Sequence, residues 1–417
     1  MDRLVVLGER QLSGSVEIGG AKNAVLPVIA ATVLAPGRYR IKRVPDLRDT
    51  RTMMKLLSII GAESTYENGE MEIDTANCRN PEAPYELVKT MRASFYVLGP
   101  LLSRFGHARV SLPGGCAWGP RPVDFHVSAM ESLGAEISLD GGYVVAKAKR
   151  LKGNTISFDV PSVGATGNAV MAAVRAEGET VIKNAAREPE IVCLCEFLNK
   201  MGASISGMGT SKLSIEGVKE LRSVDFEVIP DRIEAATMLI AGALAGKEIT
   251  VIRVNPEHLG VVLDMLREAG NSVTVSGDSV TIKRENFTNP VSVRTAVYPG
   301  FPTDVQAQWM VLMTQADGTS AITDTIYHDR FTHVGELVRL GAKISLSGNT
   351  AKVTGRRKLL GAPVMSTDIR GSASLILAAL VAKGRTEISR VYHIDRGYEG
   401  IEKKLKNLGA EIWREAE

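Results

Sequence analysis

A chain of 417 residues, 44% of them hydrophobic, can bury a sizeable core but exceeds the length at which one core usually stays undivided, so two domains are expected. Lys and Arg number 50 against 47 Asp and Glu, a formal net charge of +3, and aromatics make up 5%. That balance excludes the basic, ring-studded surface of a nucleic-acid binder and leaves small anionic ligands, which a few placed arginines suffice to hold.

The opening MDRLVVLGERQL has an apolar run of only four residues before Gly8, too short for a secretory signal. No later stretch offers the roughly 20 uninterrupted apolar residues of a membrane span, so a cytoplasmic protein with no membrane partner is expected. The four cysteines, Cys78, Cys116, Cys193 and Cys195, lack CxxC spacing and read as free thiols. The six histidines show no HExxH or other ligand spacing, and no metal site is expected.

Along the chain one pattern repeats. An apolar helix ends at Gly37 and passes into the strand RYRIKRV; a second helix, within KLLSIIGAES, stops at Gly61 and passes into strand-like residues. First-helix stops recur at Gly106, Gly178, Gly246, Gly318 and Gly384, and second-helix stops at Gly134, Gly202, Gly270, Gly341 and Gly409. One unit is therefore helix, strand, helix, hairpin, repeated six times at a period of about 70 residues. The sixth is incomplete, because only AEIWREAE follows Gly409, and RLVVLGERQLSGSVEI (residues 3–18) has the length and alternation to finish it.

Three units per domain predicts one domain over 21–229 and another over 230–417 plus 1–20. The chain then crosses twice, near Gly20 and Pro230, through a two-strand hinge that permits closure over a ligand. A single large α/β protein with ordinary glycine helix stops is the alternative, and twelve stops in strict alternation argue against it.

Polar clusters fall at the helix starts. The first helices open near GGAKNAVLP, YELVKTMRAS, PSVGATGNAV, IPDRIEAAT, FPTDVQAQW and TDIRGSASL, and second helices near GPRPVDFH, REPEIV, HDRFTH and IDRGYEG. Helix N-termini present unpaired N–H groups and a positive dipole end, which suits a phosphate-bearing ligand, and arginines add bidentate grips. Each cluster also has a plain structural use. Asp304 lies in TDVQ, a capping box from Thr303 to Gln306; Glu188 and Glu190 suit a cap; Asp231 with Arg232, Asp329 with Arg330 and Asp395 with Arg396 suit surface pairs. Cys193 and Cys195 on the apolar IVCLCEFL, and Cys78 in a loop, read as inert. Cys116 differs, because PGGCAWGPRP cannot form regular structure and suits a mobile active-site lid; an incidental loop cysteine is the other reading.

Together GGAKNAVLP, LVKTMRAS, LPGGCAWGPRPVD, SVGAT, NAAREPEI, PDRIEA, FPTDVQAQ, DIRGSAS and YHIDRGYEGIEKKL resemble the UDP-N-acetylglucosamine 1-carboxyvinyltransferases, a family of enolpyruvyl transferases, over the whole chain. The resemblance implies two domains, each an inside-out α/β barrel of three repeats, helices buried and sheets outside. It implies transfer of the enolpyruvyl group of phosphoenolpyruvate to the 3-hydroxyl of UDP-N-acetylglucosamine, by addition to a tetrahedral ketal and elimination of phosphate, in peptidoglycan synthesis, by a monomer needing no cofactor or metal.

By the same resemblance Lys22, Arg121 and Arg396 hold the phosphate and carboxylate of phosphoenolpyruvate, with Arg92 and Arg370 nearby. Asn23 and Asp304 bind the sugar, and Asp304 accepts the 3-hydroxyl proton. The uridine diphosphate lies along Arg121, Pro122, Val123, Asp124 and Phe125, with Ser162, Val163, Gly164 and the backbone near Ile326; Arg330 and Asp368 complete the substrate set. Cys116 serves as general acid at the methylene carbon, or aids product release through a covalent adduct.

Val160 stands where some members have lysine, Trp118 where the lid often carries a smaller aliphatic residue, and Gly371 where alanine is frequent. None of these removes a proposed chemical group. Two rivals remain: a sister enzyme acting on shikimate 3-phosphate, against which the cysteine lid followed by RPVD argues, and a non-catalytic nucleotide-sugar binder, which would not require Lys22, Cys116, Asp304 and Arg396 together.

Overall fold

A computed structural model describes residues 2–113, 123–285 and 288–416. The chain divides into two compact units, Gly20–Ile229 and Met1–Gly19 with Pro230–Glu417. Each contains three four-stranded sheets of one design, six in all. In the sheet built around His107–Ser111, that strand pairs antiparallel with Tyr143–Lys147, which pairs antiparallel with Glu136–Asp140. The fourth strand, Glu82–Ala83, comes from the preceding repeat and lies parallel to His107–Ser111.

The first sheet of each unit has no preceding repeat in its own unit to borrow from. In one, Asp225–Glu227 returns from the end of the unit to lie parallel to Arg38–Lys42; in the other, Leu12–Glu17 lies parallel to Gly246–Ile252. Asp2–Leu7 inserts between Arg385–Ser389 and Glu411–Ala416, antiparallel to both. Residues 3–18, read from sequence as one segment finishing the sixth repeat, therefore serve two sheets: the first strand completes the sixth and the second opens the fourth. Alternation identifies a strand and its inward face, but not the sheet it joins.

Among the described residues, six helices run through the two cores: α1 (Lys22–Ala31), α2 (Leu98–Phe105), α3 (Val163–Ala173), α4 (Arg232–Ala245), α5 (Gln306–Thr314) and α6 (Ile369–Val381). In α3, Ala165 to Ala173 are all buried, and in α4, Ile233 to Ala245 are. Such all-round burial requires helices apolar on every face, which is why no amphipathic stripe marks them in the sequence. The second helices are two-faced: Arg48–Ile60 buries Met53, Leu56, Leu57 and Ile60 and leaves Arg51 and Lys55 in solvent. Strands alternate one buried residue with one open to solvent, as in Arg38–Lys42, so the sheets wrap the helices from outside. Each unit is thus an inside-out α/β barrel of three repeats.

Eleven of the twelve helix-stop glycines take positive φ, from 67° at Gly106 to 151° at Gly318. Gly246 is the exception: with φ −81° it runs straight from α4 into a strand, and a Cβ there would sit 2.5 Å from the Gly242 carbonyl oxygen. Close packing, not handedness, requires glycine at that position. Among the described residues no helix is long and apolar enough to cross a membrane.

Candidate active site

Lys22 is the first residue of α1 and is 7% exposed. Its Nζ lies 2.7 Å from Oδ2 of Asp49, itself buried in the first turn of Arg48–Ile60. Sequence reasoning found Lys22 and missed Asp49; the available signal was that a lysine heading an otherwise apolar helix needs a countercharge. Asn23 beside it is exposed.

In the same unit, Asn168 of α3 accepts the Gly99 N–H on Oδ1 at 2.8 Å. That fixes its amide nitrogen toward the Phe95 carbonyl (3.0 Å) and His126 Nδ1 (2.8 Å). Nδ1 is then an acceptor, so the neutral ring carries its proton on Nε2. Burial, with the Arg92 charge adding to it, pushes His126 down to about 3. Its Cε1 and Nε2 lie 3.0 Å from where a Cβ on Gly164 would stand, so the imidazole donor edge reaches the N-terminus of α3. There Ser162 caps the helix through the Ala165 N–H at 3.3 Å, with Val163 and Gly164 half-buried. His126 was not among the residues singled out from sequence, and nothing in its local spacing marks it.

Arg92 opens the 3-10 turn Arg92–Val97 and is half-buried. Val123 precedes the helix Asp124–Ser132; Asp124 is exposed, and Phe125 packs against Phe158 with ring centroids 6.0 Å apart. Val160 is 55% exposed. Cys116, Trp118, Arg121 and Pro122 lie outside the described residues. Cys78, Cys193 and Cys195 are buried free thiols, the last two pushed up by burial to about 12. Glu188 precedes the helix Pro189–Met201 without a capping hydrogen bond from its side chain, and Glu190 is buried.

The other unit carries a denser cluster. Asp304 Oδ1 pairs with Arg330 Nη1 at 2.7 Å, and Oδ2 accepts Arg370 Nε and Nη2 at 3.2 and 3.1 Å. The arginine side chains are 6% and 4% exposed and the carboxylate 23%. Burial works against the charged carboxyl, but the Arg370 and Arg330 guanidinium groups outweigh it and hold Asp304 well below the usual carboxylate range.

The capping-box reading of TDVQ fails here. The Thr303 hydroxyl donates to Asp324 Oδ2 at 2.7 Å and accepts from Arg330 Nη1 at 3.0 Å, while Gln306 Nε2 donates to the Arg330 carbonyl at 2.7 Å. Long-range partners take both groups that a local box would use. The surface-pair readings fail too. Arg330 is buried on Asp304 while Asp329 is exposed; Asp395 pairs with Arg414; and Asp231 caps α4 through the Ile233 and Glu234 N–H groups at 2.8 and 3.0 Å.

Asp368 caps α6 through the Arg370 and Gly371 N–H groups at 2.8 and 2.9 Å. A Cβ on Gly371 would meet Asp368 Oδ2 at 2.6 Å. Ile326 sits in the turn after Asp324, whose Oδ1 accepts the Ile326 N–H at 2.9 Å. Arg396 is half-buried at the end of the 3-10 segment Val391–Arg396. Two buried cations meet on one carboxylate here, with Asp324 joined to Arg330 through Thr303 and Asp231 acting on Arg370, so a proton acceptor and two guanidinium groups stand together.

The profile of EPSP synthase (3-phosphoshikimate 1-carboxyvinyltransferase) matches residues 6–405. The chain is 58% identical to a UDP-N-acetylglucosamine 1-carboxyvinyltransferase of Chlorobaculum parvum over 100% of its own length and 99% of that protein's. It is 56% identical to the protein of the same name from Chlorobium chlorochromatii, over the same shares. Among solved structures it superposes on the enolpyruvyl transferase NikO from Streptomyces tendae with TM-score 0.90 and 28% identity, covering 99% of this chain and 98% of that one. An EPSP synthase from Acinetobacter baumannii matches in fold, with TM-score 0.78 and 18% identity over 100% of both chains.

Proposed function

The chain belongs to the enolpyruvyl transferase family, among the UDP-N-acetylglucosamine 1-carboxyvinyltransferases, and from that premise we propose how its residues perform the transfer. The enzyme moves the enolpyruvyl group of phosphoenolpyruvate to the 3-hydroxyl of UDP-N-acetylglucosamine and releases phosphate, the first committed step of peptidoglycan biosynthesis. What carries the nucleotide-sugar acceptor over shikimate 3-phosphate is the set of relatives that share more than half their residues with this chain along its whole length.

In the addition step the 3-hydroxyl oxygen bonds to C2 of phosphoenolpyruvate, its proton leaves to Asp304, and the methylene carbon gains a proton from Cys116. Elimination reverses the carbon protonation: the methyl group gives its proton back to the Cys116 thiolate, the double bond reforms, and the C2–O bond to phosphate breaks with its electron pair going to the phosphate oxygen, which takes up the proton that Asp304 gained. Lys22, Arg121 and Arg396 hold the phosphate and carboxylate, with Arg92 and Arg370 adding charge, and Asn23 binds the sugar. The nucleotide is held along Arg121 to Phe125 and at Ser162, Val163, Gly164 and Ile326.

Asp304 carries one constraint into this scheme. A carboxylate held by two guanidinium groups is a weak base, so its proton uptake has to accompany a shift of arginine charge onto the incoming phosphoenolpyruvate. A thiol, with a reference pKa of about 8.5, carries a proton to give at neutral pH, whereas a serine hydroxyl has no comparable acidity. Cys116→Asp is therefore expected to keep measurable activity with its optimum at lower pH, and Cys116→Ser to lose nearly all product release.

The deciding experiment incubates the protein with phosphoenolpyruvate and either UDP-N-acetylglucosamine or shikimate 3-phosphate and reads phosphate release. Release only with the nucleotide sugar supports the reading. Release only with shikimate 3-phosphate, or with neither, overturns it.

A further inference from the structure

Arg370 meets Asp304 with one edge of its guanidinium, and its plane is backed by something other than an acid. Its central carbon lies 5.2 Å from the ring centroid of Tyr398, a side chain 1% exposed. We propose that Tyr398, fixed by Thr237 and Gln308, is a positioning residue for the transfer reaction, holding Arg370 against Asp304 through a neutral aromatic face. The inference rests on reading Asp304 as the group that takes the acceptor's proton.

The hydrogen bonds around the phenol have a fixed direction. The Thr237 hydroxyl gives its proton to the Ile233 carbonyl one turn back in α4, at 2.8 Å, so its oxygen can only accept. The Tyr398 hydroxyl, 2.9 Å away, is therefore the donor to Thr237. Gln308 Nε2 supplies the other end: its two N–H groups are shared among the Tyr398 oxygen at 3.1 Å, the Thr237 oxygen at 3.1 Å and the backbone carbonyl of Asp304 at 3.0 Å. Donation runs from Gln308 to Tyr398 to Thr237 and ends on the Ile233 carbonyl. It ties α4, the start of α5 and the segment following Arg396 to one buried phenol, whose ionisation burial disfavours.

A neutral partner matters chemically. A second carboxylate under Arg370 would compete with Asp304 and with an anionic substrate for the same cation, whereas a ring face attracts the guanidinium without neutralising it. Gly397 leaves the space this needs: a Cβ there would stand 2.2 Å from Ile369 Cγ2 and 3.7 Å from Arg370 Nη1. Nη1 is buried without a hydrogen-bond partner among the described residues. The remaining charges acting on the pair are Arg330 on the other oxygen of Asp304 and Asp231 at the head of α4.

The test uses the full chain as wild type, Tyr398→Leu, Tyr398→Phe and Asp304→Asn. It follows phosphate release from phosphoenolpyruvate and UDP-N-acetylglucosamine against pH, and the Arg370 Nε–H resonance in arginine-labelled protein. Tyr398→Leu is expected to lower kcat about a hundredfold, the usual cost of a misplaced group, with KM for the nucleotide sugar changed less than about threefold. Its acid limb should move to higher pH, because a loosened Arg370 lets the Asp304 carboxyl climb back toward its ordinary range. Tyr398→Phe keeps the ring and should recover most of kcat and the wild-type acid limb.

An unchanged kcat and acid limb in Tyr398→Leu overturns the proposal, as does a loss that tracks the fraction of folded enzyme while the acid limb stays put. If Asp304→Asn turns over normally, the base reading fails on its own account. The Arg370 resonance then decides about Tyr398: shifted in the Leu variant, positioning stands; unshifted, it falls.

Discussion

Lys22 and Asp304 both stand at the heads of buried helices, one in each unit, and they are built differently. Lys22 pairs with one carboxylate; Asp304 is gripped by two guanidinium groups, one on each oxygen. The comparison shows that similar repeats can present a balanced pair in one place and a two-arginine trap in another, because the partners come from later elements of the same repeat for Asp49 and Arg330, and from the next repeat for Arg370, and not from the helix that carries the residue. Asp49 belongs to the helix following α1, Arg330 and Arg370 to loops and helices 26 and 66 residues beyond Asp304.

Removing the carboxylate from the trap should have the largest effect. Asp304→Asn is expected to cut phosphate release at least about a hundredfold, the usual size of a general-base effect. It should also lower the melting temperature, since two buried arginines lose their countercharge. Melting and turnover measured together separate the two, and full turnover with a lowered melt would reduce Asp304 to an anchor for the arginines.

The balanced pair should break more gently. Asp49→Asn is expected to weaken turnover of phosphoenolpyruvate about tenfold by freeing Lys22 to shift. It should also lower the melting temperature clearly more than Asp74→Asn, whose partner Arg38 is 90% exposed and whose pair is screened by solvent. Equal melting shifts for the two variants would show that burial adds nothing to the Lys22 pair.

Acid sharpens the comparison, because each unit carries one buried histidine held neutral. Burial pushes His126 to about 3, with Arg92 adding to it, and His333 to about 4, against an ordinary value of about 6.5. Both folded values are depressed, so the unfolded chain binds the extra protons. Stability is then full above about pH 6.5 and falls with acid until about pH 3 for one group and about pH 4 for the other, by up to about 1.4 kcal/mol per pH unit each. His126→Gln should remove one share of that slope in denaturant titrations between pH 4 and 6; an unchanged slope would mean the imidazole already reaches solvent. The smallest effect is expected at Gly371→Ala. The new methyl presses on the end of the Asp368 side chain and costs about 1 kcal/mol, the worth of an N-cap, read as a small drop in melting temperature.

The repeat was legible in the sequence because it is written in local chemistry: a glycine that ends a helix does so whatever surrounds it. Caps were hardly legible. Ser162, Asp231 and Asp368 cap their helices though none was read as a cap, Glu188 makes no capping bond, and Thr303 and Gln306 look like a box and are taken by Asp324 and the Arg330 carbonyl. The rule describes what a side chain can reach nearby, and a buried partner at longer range overrides it. Asp304, Arg330 and Arg370 were named through a family resemblance, and their mutual pairing was not readable from spacing. Asp49, His126, Asn168 and the Tyr398 network were missed because each takes its meaning from a contact between separate elements, within one repeat for Asp49 and between repeats for the others.

The strands that close the barrels set the order of events at the ribosome. Leu12–Glu17 emerges early, yet its partner Gly246–Ile252 is made some 230 residues later, a wait of roughly 10 to 50 seconds at ordinary elongation rates. Meanwhile Gly20–Ile229 can finish, since its last strand Asp225–Glu227 closes onto Arg38–Lys42 without anything downstream. The nascent chain therefore carries an unpaired N-terminal strand past a completed domain. Joining the two ends and reopening the chain at Gly20 would turn both halves into uninterrupted stretches and reverse the order of that wait, with Gly246–Ile252 made before Leu12–Glu17.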